Sequence, residues 1–303
     1  MNGRRPLLIV LVGPTASGKS ALAVELAERL DGELLSADSM QVYRGMDIGT
    51  GKPSPDERRR APHHGIDLVE PQIEFTVAMY RRYAVSTLQA IQGRSRVPIF
   101  IGGTGLYIRA VLDGLCPAPE AQPAYRQTLM AEASTLGPEP LHVRLQQVDP
   151  AAADRIHPHD ARRIIRALEV YHVSGRPLSA WQRQTSGLAQ TWDVRQVGLL
   201  PPRELLDARI NVRVLAMVEA GLVEEARGLH AAGVSRTAAQ ALGYKELFAA
   251  FEGRWSMDEA VARIQHDTRR YARRQLTWFR RDPRITWLTP ADLLQQVLPL
   301  VER

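Results

Sequence analysis

One cysteine, Cys116, occurs in 303 residues, which excludes an internal disulfide framework and any Cys-rich zinc site. No basic residue flanks it, so it reads as a small buried or linker residue rather than a nucleophile. His63, His64, His157 and His159 lack zinc-ligand spacing and read as loop or surface groups. No apolar run approaches the roughly 20 residues of a membrane span. Arg4-Arg5 before Leu7–Val12 opens like a signal peptide, but the apolar stretch is short and runs straight into a glycine-rich loop. A cytoplasmic chain with no membrane partner is therefore expected. Lysine is scarce beside arginine, and the net charge is +6. Arginine is the side chain suited to bidentate phosphate contact and to stacking on bases, so the basic balance suits nucleic acid or phosphorylated substrates. Internal repeats and low-complexity tracts are absent. With 45% hydrophobic and 24% charged residues, the chain has the core of one large or two ordinary globular domains.

Against these absences stands Gly13-Pro14-Thr15-Ala16-Ser17-Gly18-Lys19-Ser20, which fits G-x-x-x-x-G-K-[ST]. The apolar run Leu7–Val12 reads as a buried strand before it, and Ala21–Ala27 continues as a helix, the setting a phosphate-binding P-loop requires. A plain Gly/Ser connection between strand and helix is the bland alternative, and the context argues against it. The loop's backbone N–H groups converge on phosphate oxygens at the positive end of the helix. Lys19 is placed to neutralise a terminal phosphate, and the Ser20 hydroxyl to ligate Mg²⁺. Two further absences bear on the chemistry. No later strand ends directly in Asp in the manner of a hydrolysing ATPase, and there is no guanine-reading Asn-Lys-x-Asp. A phosphate cradle without that machinery suggests that the phosphates are a leaving group rather than fuel.

Strands are expected at Gly32–Ser36, Ile66–Val69 and Val97–Ile101, with a long, partly ordered loop over Arg44–His64. A helix capped by Thr76 runs to Gly93. A proline-rich link, Cys116–Pro123, precedes a stretch of purely helical periodicity from Tyr125 to about Trp181. Val194–Leu200 returns to the sheet. Helices dominate from Arg203, with stops at Gly221 and Gly233, and Ile285–Leu288 adds an edge strand. The expected fold is α/β: a P-loop-type parallel sheet flanked by helices, with an all-helical insertion domain. Its parts are a first core segment (1–116), the insertion (117–193) and a second core segment (194–303).

Ligands of open α/β sheets sit outside the carboxyl ends of the strands. Besides the P-loop, two segments fall there: Asp38-Ser39-Met40-Gln41 and Gly102-Gly103-Thr104-Gly105. Asp38 is a candidate general base or metal partner, or else the acceptor of an Asx-turn; its place one loop from the phosphates favours function. Thr104 could donate to a leaving oxygen. Arg263–Arg284 carries eight arginines interleaved with Tyr271, Trp278 and Phe279. Arg263, Arg270, Arg274 and Arg281 fall near one helical face, a stripe suited to nucleic acid, although a solvated face with its aromatics packed in the core has the same pattern. A second basic cluster is Arg162-Arg163-Ile164-Ile165-Arg166.

These runs together resemble the tRNA dimethylallyltransferases (tRNA isopentenyltransferases). The resemblance rests on Gly13–Ser20, Asp38–Thr50, Gly102–Tyr107, Arg162–Val170, Gly243–Glu246 and Arg273–Arg280, in order along nearly the whole chain. It implies that the P-loop holds the diphosphate of dimethylallyl diphosphate rather than ATP. It makes Asp38 the base near an adenine N6 and gives Thr104 contacts to the leaving group and tRNA. It further implies tRNA contacts by Asp38, Ser39, Met40 and Gln41, by Arg162, Arg163, Ile164, Ile165 and Arg166, and by Gln240, Ala241, Leu242, Gly243, Tyr244 and Lys245. Arg273, Arg274, Gln275, Leu276, Thr277, Trp278, Phe279 and Arg280 follow, with Arg126 as a further contact and the insertion gripping the anticodon stem-loop. Gly51, His159 and Gln240 depart from the family's usual residues. The implied reaction is transfer of the dimethylallyl group to N6 of the adenosine 3′ to the anticodon, with Mg²⁺, in a monomer. A P-loop small-metabolite kinase and a non-catalytic RNA-binding NTPase module are the rival readings.

Overall fold

The computed structural model describes residues 5–289 and 293–301. Six strands form one sheet: β1 (Leu7–Val12), β2 (Gly32–Ala37), β3 (His63–His64), β4 (Val97–Gly102), β5 (Asp193–Leu199) and β6 (Ile285–Leu288). Their order is β3-β2-β4-β1-β5-β6, and every pairing is parallel. A parallel sheet needs cover on both faces, and the side-chain alternation of β1 supplies two cores. Leu8, Val10 and Val12 join one cluster with Tyr80, Leu88 and Val111 from helices α3 (Val77–Gly93) and α4 (Gly105–Leu112). Ile9 and Leu11 join the other, with Leu22 and Leu26 of α1 (Lys19–Leu30) and Val297 of α14 (Leu293–Val301). Thr76 caps α3 through its hydroxyl, 3.2 Å from the Met79 N–H.

Two expectations are corrected. The segment 44–64 is not one loop: it contains α2 (Pro55–Arg60) and β3. Ser54 and Glu57 close a reciprocal capping box at its start, an S-x-x-E pattern that signals a helix N-terminus. Ile66–Val69 is not a strand. Asp67 sits at φ 55 in the left-handed region, which interrupts extension, and Val69 makes only an isolated bridge to Tyr43. The expected stop at Gly221 holds: it follows the C-cap Ala220 of α10 (Arg203–Glu219) with φ 102, and it also caps the start of α11 (Leu222–Ala232). It is followed by α12 (Tyr244–Phe251) and α13 (Met257–Phe279).

Contacts divide the chain into residues 1–112 with 188–303, and residues 113–187. Residues 188–193, read from sequence with the insertion, belong to the first unit, because Leu188 and Trp192 are buried in its core. The second unit is all-helical: α5 (Pro123–Leu136), α6 (Glu139–Val148), α7 (Pro150–Ala153), α8 (Ala161–Ser174) and α9 (Leu178–Gln182). Leu129, Leu141, Leu145, Ile164 and Leu168 form its core. Inside it, the fully buried Glu169 carboxylate accepts from Arg126 at 2.7 Å, Arg166 at 2.7 Å and the Gln122 N–H at 2.8 Å. Arg166 also donates to the Pro119 carbonyl at 2.6 Å. One buried carboxylate thus ties the proline-rich link to α5 and α8. Glu169→Ala leaves both guanidiniums without their acceptor and is expected to cost about 2 kcal/mol. Urea unfolding followed by circular dichroism checks this; an unchanged midpoint would show the cluster to be energetically idle.

Candidate active site

Strand register brings the sequence-predicted loops together. Val12 and Ala37 both pair with Gly102, so β1, β2 and β4 end level with one another. Their exits are the P-loop, the turn at Asp38 and the loop at Gly103. The P-loop turns through left-handed Ala16 (φ 62) and Gly18 (φ 92) before α1. Among the described residues no acceptor takes the N–H groups of Ala16, Gly18, Lys19 and Ser20. The Ser17 hydroxyl is buried without a hydrogen-bond partner. Convergent donors at a helix N-terminus, with an orphaned buried hydroxyl beside them, fit an anion.

The Thr15 N–H donates to Gln275 Oε1 at 2.9 Å, while Gln275 Nε2 donates to the Gly103 carbonyl at 3.0 Å. Gln275, buried in α13, therefore staples the P-loop to the β4–α4 loop. A Cβ at position 103 would overlap Gln275 Nε2, so Gly103 is there to admit the staple. Asp38 Oδ1 accepts from the Met40 N–H at 2.8 Å, an Asx-turn that fixes the carboxylate and leaves Oδ2 as the remaining acceptor. Thr104 Oγ1 accepts from the Ser39 N–H at 3.1 Å, which binds the Asp38 turn to the third loop. Gln41 is spent structurally: its Oε1 accepts from Ser36 Oγ at 2.7 Å, and its Nε2 donates to the Gly51 carbonyl at 3.0 Å.

Charge is concentrated here. Burial, followed by the Arg213 guanidinium, lowers the Lys19 ammonium to about 8, and Asp38 opposes the shift. Arg213, from α10, is itself lowered by burial against the pull of Asp38. Two cations and one carboxylate thus share a desolvated space. Burial pushes the Tyr271 phenol up to about 12, so it stays protonated beside Thr104 and Gln275. Lys52 is buried on the Tyr43 carbonyl at 2.6 Å, with Asp47 and Asp67 as its ion-pair partners.

Two cavities meet at these residues. The larger, about 970 Å³, is lined by Lys19, Ser20, Ser36, Lys52 and Gly103. The smaller, about 350 Å³, is lined by Ser39, Met40, Gln240–Gly243, Lys245 and Arg274. Thr15, Asp38, Thr50, Arg213, Met217 and Tyr271 line both. One cavity therefore carries the phosphate-directed groups, and the other the segments that the resemblance assigns to RNA. No three His, Cys, Asp or Glu side chains cluster as a metal cage among the described residues. The hard oxygen donors on the larger cavity, Ser20 and Asp38, suit a divalent cation shared with a bound phosphate rather than one held by protein alone.

Comparison with known proteins decides between the readings. Residues 41–282 match the family model described as IPP transferase, and residues 6–63 match that of isopentenyl transferase. The chain belongs to the IPP transferase family. The tRNA dimethylallyltransferase of Geobacter metallireducens is 49% identical over 97% of this chain and 96% of its own; that of Geobacillus kaustophilus is 49% identical over 93% and 90%. Among solved structures, the tRNA isopentenylpyrophosphate transferase of Bacillus halodurans superposes with TM-score 0.72 at 40% identity, covering 97% of this chain and 94% of that one. A eukaryotic dimethylallyltransferase acting on tRNA gives 0.80 at 26%, over 97% and 76%. The kinase and NTPase-module readings have no support in these matches.

Within this family member, several residues expected to touch RNA face inward. Ile164 and Ile165 are buried in the helical unit, and Ala241, Tyr244 and Phe279 in the core of the other. Gln275 is the staple just described, and Arg126 and Arg166 are engaged by Glu169. Arg162, Arg163, Gln240, Arg273, Arg274, Thr277, Trp278 and Arg280 are exposed. Sequence reasoning missed Arg213, because an arginine on a long helix with no local motif carries no sign that tertiary packing will bury it.

The Lys19 shift predicts a pH effect. An ammonium titrating at about 8 is charged below that pH and neutral above it, whereas bound diphosphate holds its proton. Binding above pH 8 therefore requires proton uptake, and diphosphate affinity is expected to fall as pH rises, with a slope approaching about one decade per pH unit. Calorimetric titration with pyrophosphate from pH 6.5 to 9.5 tests this; the wild type should lose affinity more steeply than Lys19→Ala, whose pH dependence reports the ligand's own protons, and identical slopes would exclude Lys19 as a source.

Proposed function

We propose that this protein transfers the dimethylallyl group from dimethylallyl diphosphate to N6 of the adenosine 3′ to the anticodon in tRNA, releasing diphosphate. The observation that carries the reading is the position of Asp38 on the wall between the two cavities. The donor's diphosphate belongs in the larger cavity against the P-loop amides, Ser17, Lys19 and Arg213. The adenine, taken out of its stack as base-modifying enzymes require, belongs in the smaller one. In the reaction the N6 lone pair forms a bond to the allylic carbon as the carbon–oxygen bond to diphosphate breaks. The N6 proton passes to Asp38. Lys19 and Arg213 stabilise the charge growing on the departing oxygens. Thr104 donates at the leaving group or orients the base, and Tyr271 holds Thr104. A divalent cation, Mg²⁺, held by Ser20 with the donor's phosphates, supplies further charge neutralisation when bound. Much of the rate comes from holding nucleophile and allylic carbon in line.

The helical unit, with Arg162 and Arg163 exposed, is the proposed grip on the anticodon stem-loop, and the exposed arginines of α13 track the RNA backbone. No helix among the described residues is long and apolar enough to cross a membrane. The proposal places the protein in the cytoplasm, acting as a monomer.

Labelled dimethylallyl diphosphate, Mg²⁺ and unmodified tRNA should give prenylated tRNA, and AMP in place of tRNA should not. Transfer to AMP alone would overturn the RNA assignment, and ATP hydrolysis or phosphoryl transfer the whole reading. Asp38→Asn keeps the Asx-turn acceptor but cannot take the proton, so kcat is expected to fall about a hundredfold or more with tRNA affinity little changed. Near-normal turnover would leave Asp38 only its turn. Neutralising Arg270, Arg274 and Arg281 together should weaken tRNA binding and flatten its salt dependence by about 0.7–0.9 per lost phosphate contact. Affinity measured across a salt series reads this out, and parallel slopes would show that these arginines do not meet phosphate.

A further inference from the structure

The segment 47–51 forms part of the wall of both cavities: Asp47, Ile48 and Gly51 face the larger, Gly49 the smaller, and Thr50 both. Such a segment has no strand or helix of its own to hold it, and beyond its own turn its backbone groups need partners from outside. On the carbonyl side, Gln41 Nε2 donates to Gly51 O at 3.0 Å and Thr50 O at 3.3 Å. On the amide side, one carboxylate takes three consecutive N–H groups, while the Gly51 N–H turns back to the Ile48 carbonyl at 3.0 Å. Glu225, on α11, accepts from the Asp47 N–H at 2.9 Å, the Ile48 N–H at 2.9 Å and the Gly49 N–H at 3.1 Å. It also accepts from the Tyr244 hydroxyl at 2.6 Å. Tyr244 is fully buried, and its ring lies against Gly49, where a Cβ would approach within 2.6 Å. Tyr244 stands between Gly243 and Lys245, which line the smaller cavity. Burial, then the bond to Glu225, holds the phenol well above the ordinary tyrosine range, so it remains a donor.

Glu225 itself lines neither cavity. We propose that it is a positioning residue: by gathering three consecutive amides and the Tyr244 phenol, it fixes the shared wall against the Gly243–Lys245 loop, so donor and acceptor cavities keep one geometry. The inference rests on the two-cavity reading above. A neutral amide cannot replace the carboxylate, because its Nε2 group would face backbone donors rather than accept from them.

The test is steady-state kinetics of full-length Glu225→Gln, with the folded fraction followed by thermal unfolding. The Michaelis constants for dimethylallyl diphosphate and for tRNA are expected to rise together, each about tenfold, the usual scale for a lost charge-assisted hydrogen bond. Tyr244→Phe removes only the phenol's bond and should move both constants in the same direction by less. Unchanged constants, with kcat falling only as the folded fraction falls, would overturn the proposal and leave Glu225 a purely stabilising residue. If Glu225→Gln does not fold, Tyr244→Phe decides alone, and unchanged constants for both substrates overturn the proposal. Calorimetry with pyrophosphate separates this inference from the function it rests on. If the wild type transfers no prenyl group, the proposed reaction fails. Weaker pyrophosphate binding by the variant would still support the wall, and equal binding would sink it.

Discussion

The level ending of three parallel strands is the constraint on which the site depends. A parallel ladder leaves no freedom in where neighbouring strands stop once the register is set. With Val12 and Ala37 both opposite Gly102, three loops from distant parts of the sequence emerge side by side. Everything chemical is then hung on those loops by short polar links. Gln275 joins the first to the third, and Thr104 joins the third to the second. Because the links use side-chain amides and hydroxyls rather than charge, the charged groups remain for the ligand.

Lys19 and Arg213 are like charges in a desolvated space, and Asp38 is the carboxylate that offsets them. Such an arrangement costs stability in the empty protein, because burial and mutual repulsion both disfavour the charged forms. A diphosphate bound there, as proposed, would remove both penalties at once. On the proposed reading, a multiply charged anion bound among these groups would stabilise the protein through mass action.

Legibility in the sequence followed the range of the interactions. The P-loop, the strands around it and the helical stretch after Pro123 are local patterns of spacing and periodicity, and all could be read. The Asp38 turn and the Gly102–Gly105 loop were placed by topology alone, since the carboxyl ends of parallel strands are where ligands bind. Features set by long-range packing were not readable. Arg213 and Glu225 look like ordinary charges on long helices, and Gln275 looked like one more polar residue in a basic segment. The α2 helix did carry a local signal, the Ser54–Glu57 pair, that was overshadowed by prolines and an arginine triplet. The resemblance assigned whole runs to RNA contact, but a helix shows only one side to a partner. Ile164, Ile165 and Phe279 belong to the side that packs inward.

The scarcity of lysine acquires a use in this light. The chain has three, Lys19, Lys52 and Lys245, and all of them line the two cavities. Two are engaged by carboxylates, Lys52 by Asp47 and Asp67, Lys245 by Asp267 and Glu246. Lys19 donates to a backbone carbonyl at 3.0 Å and titrates at about 8, so an appreciable share of it is a free amine near neutral pH. Acylating reagents directed at lysine would therefore meet only side chains that line these two cavities. Lysine thus serves as a chemical mark of the cavity walls, and a diphosphate bound as proposed would cover Lys19.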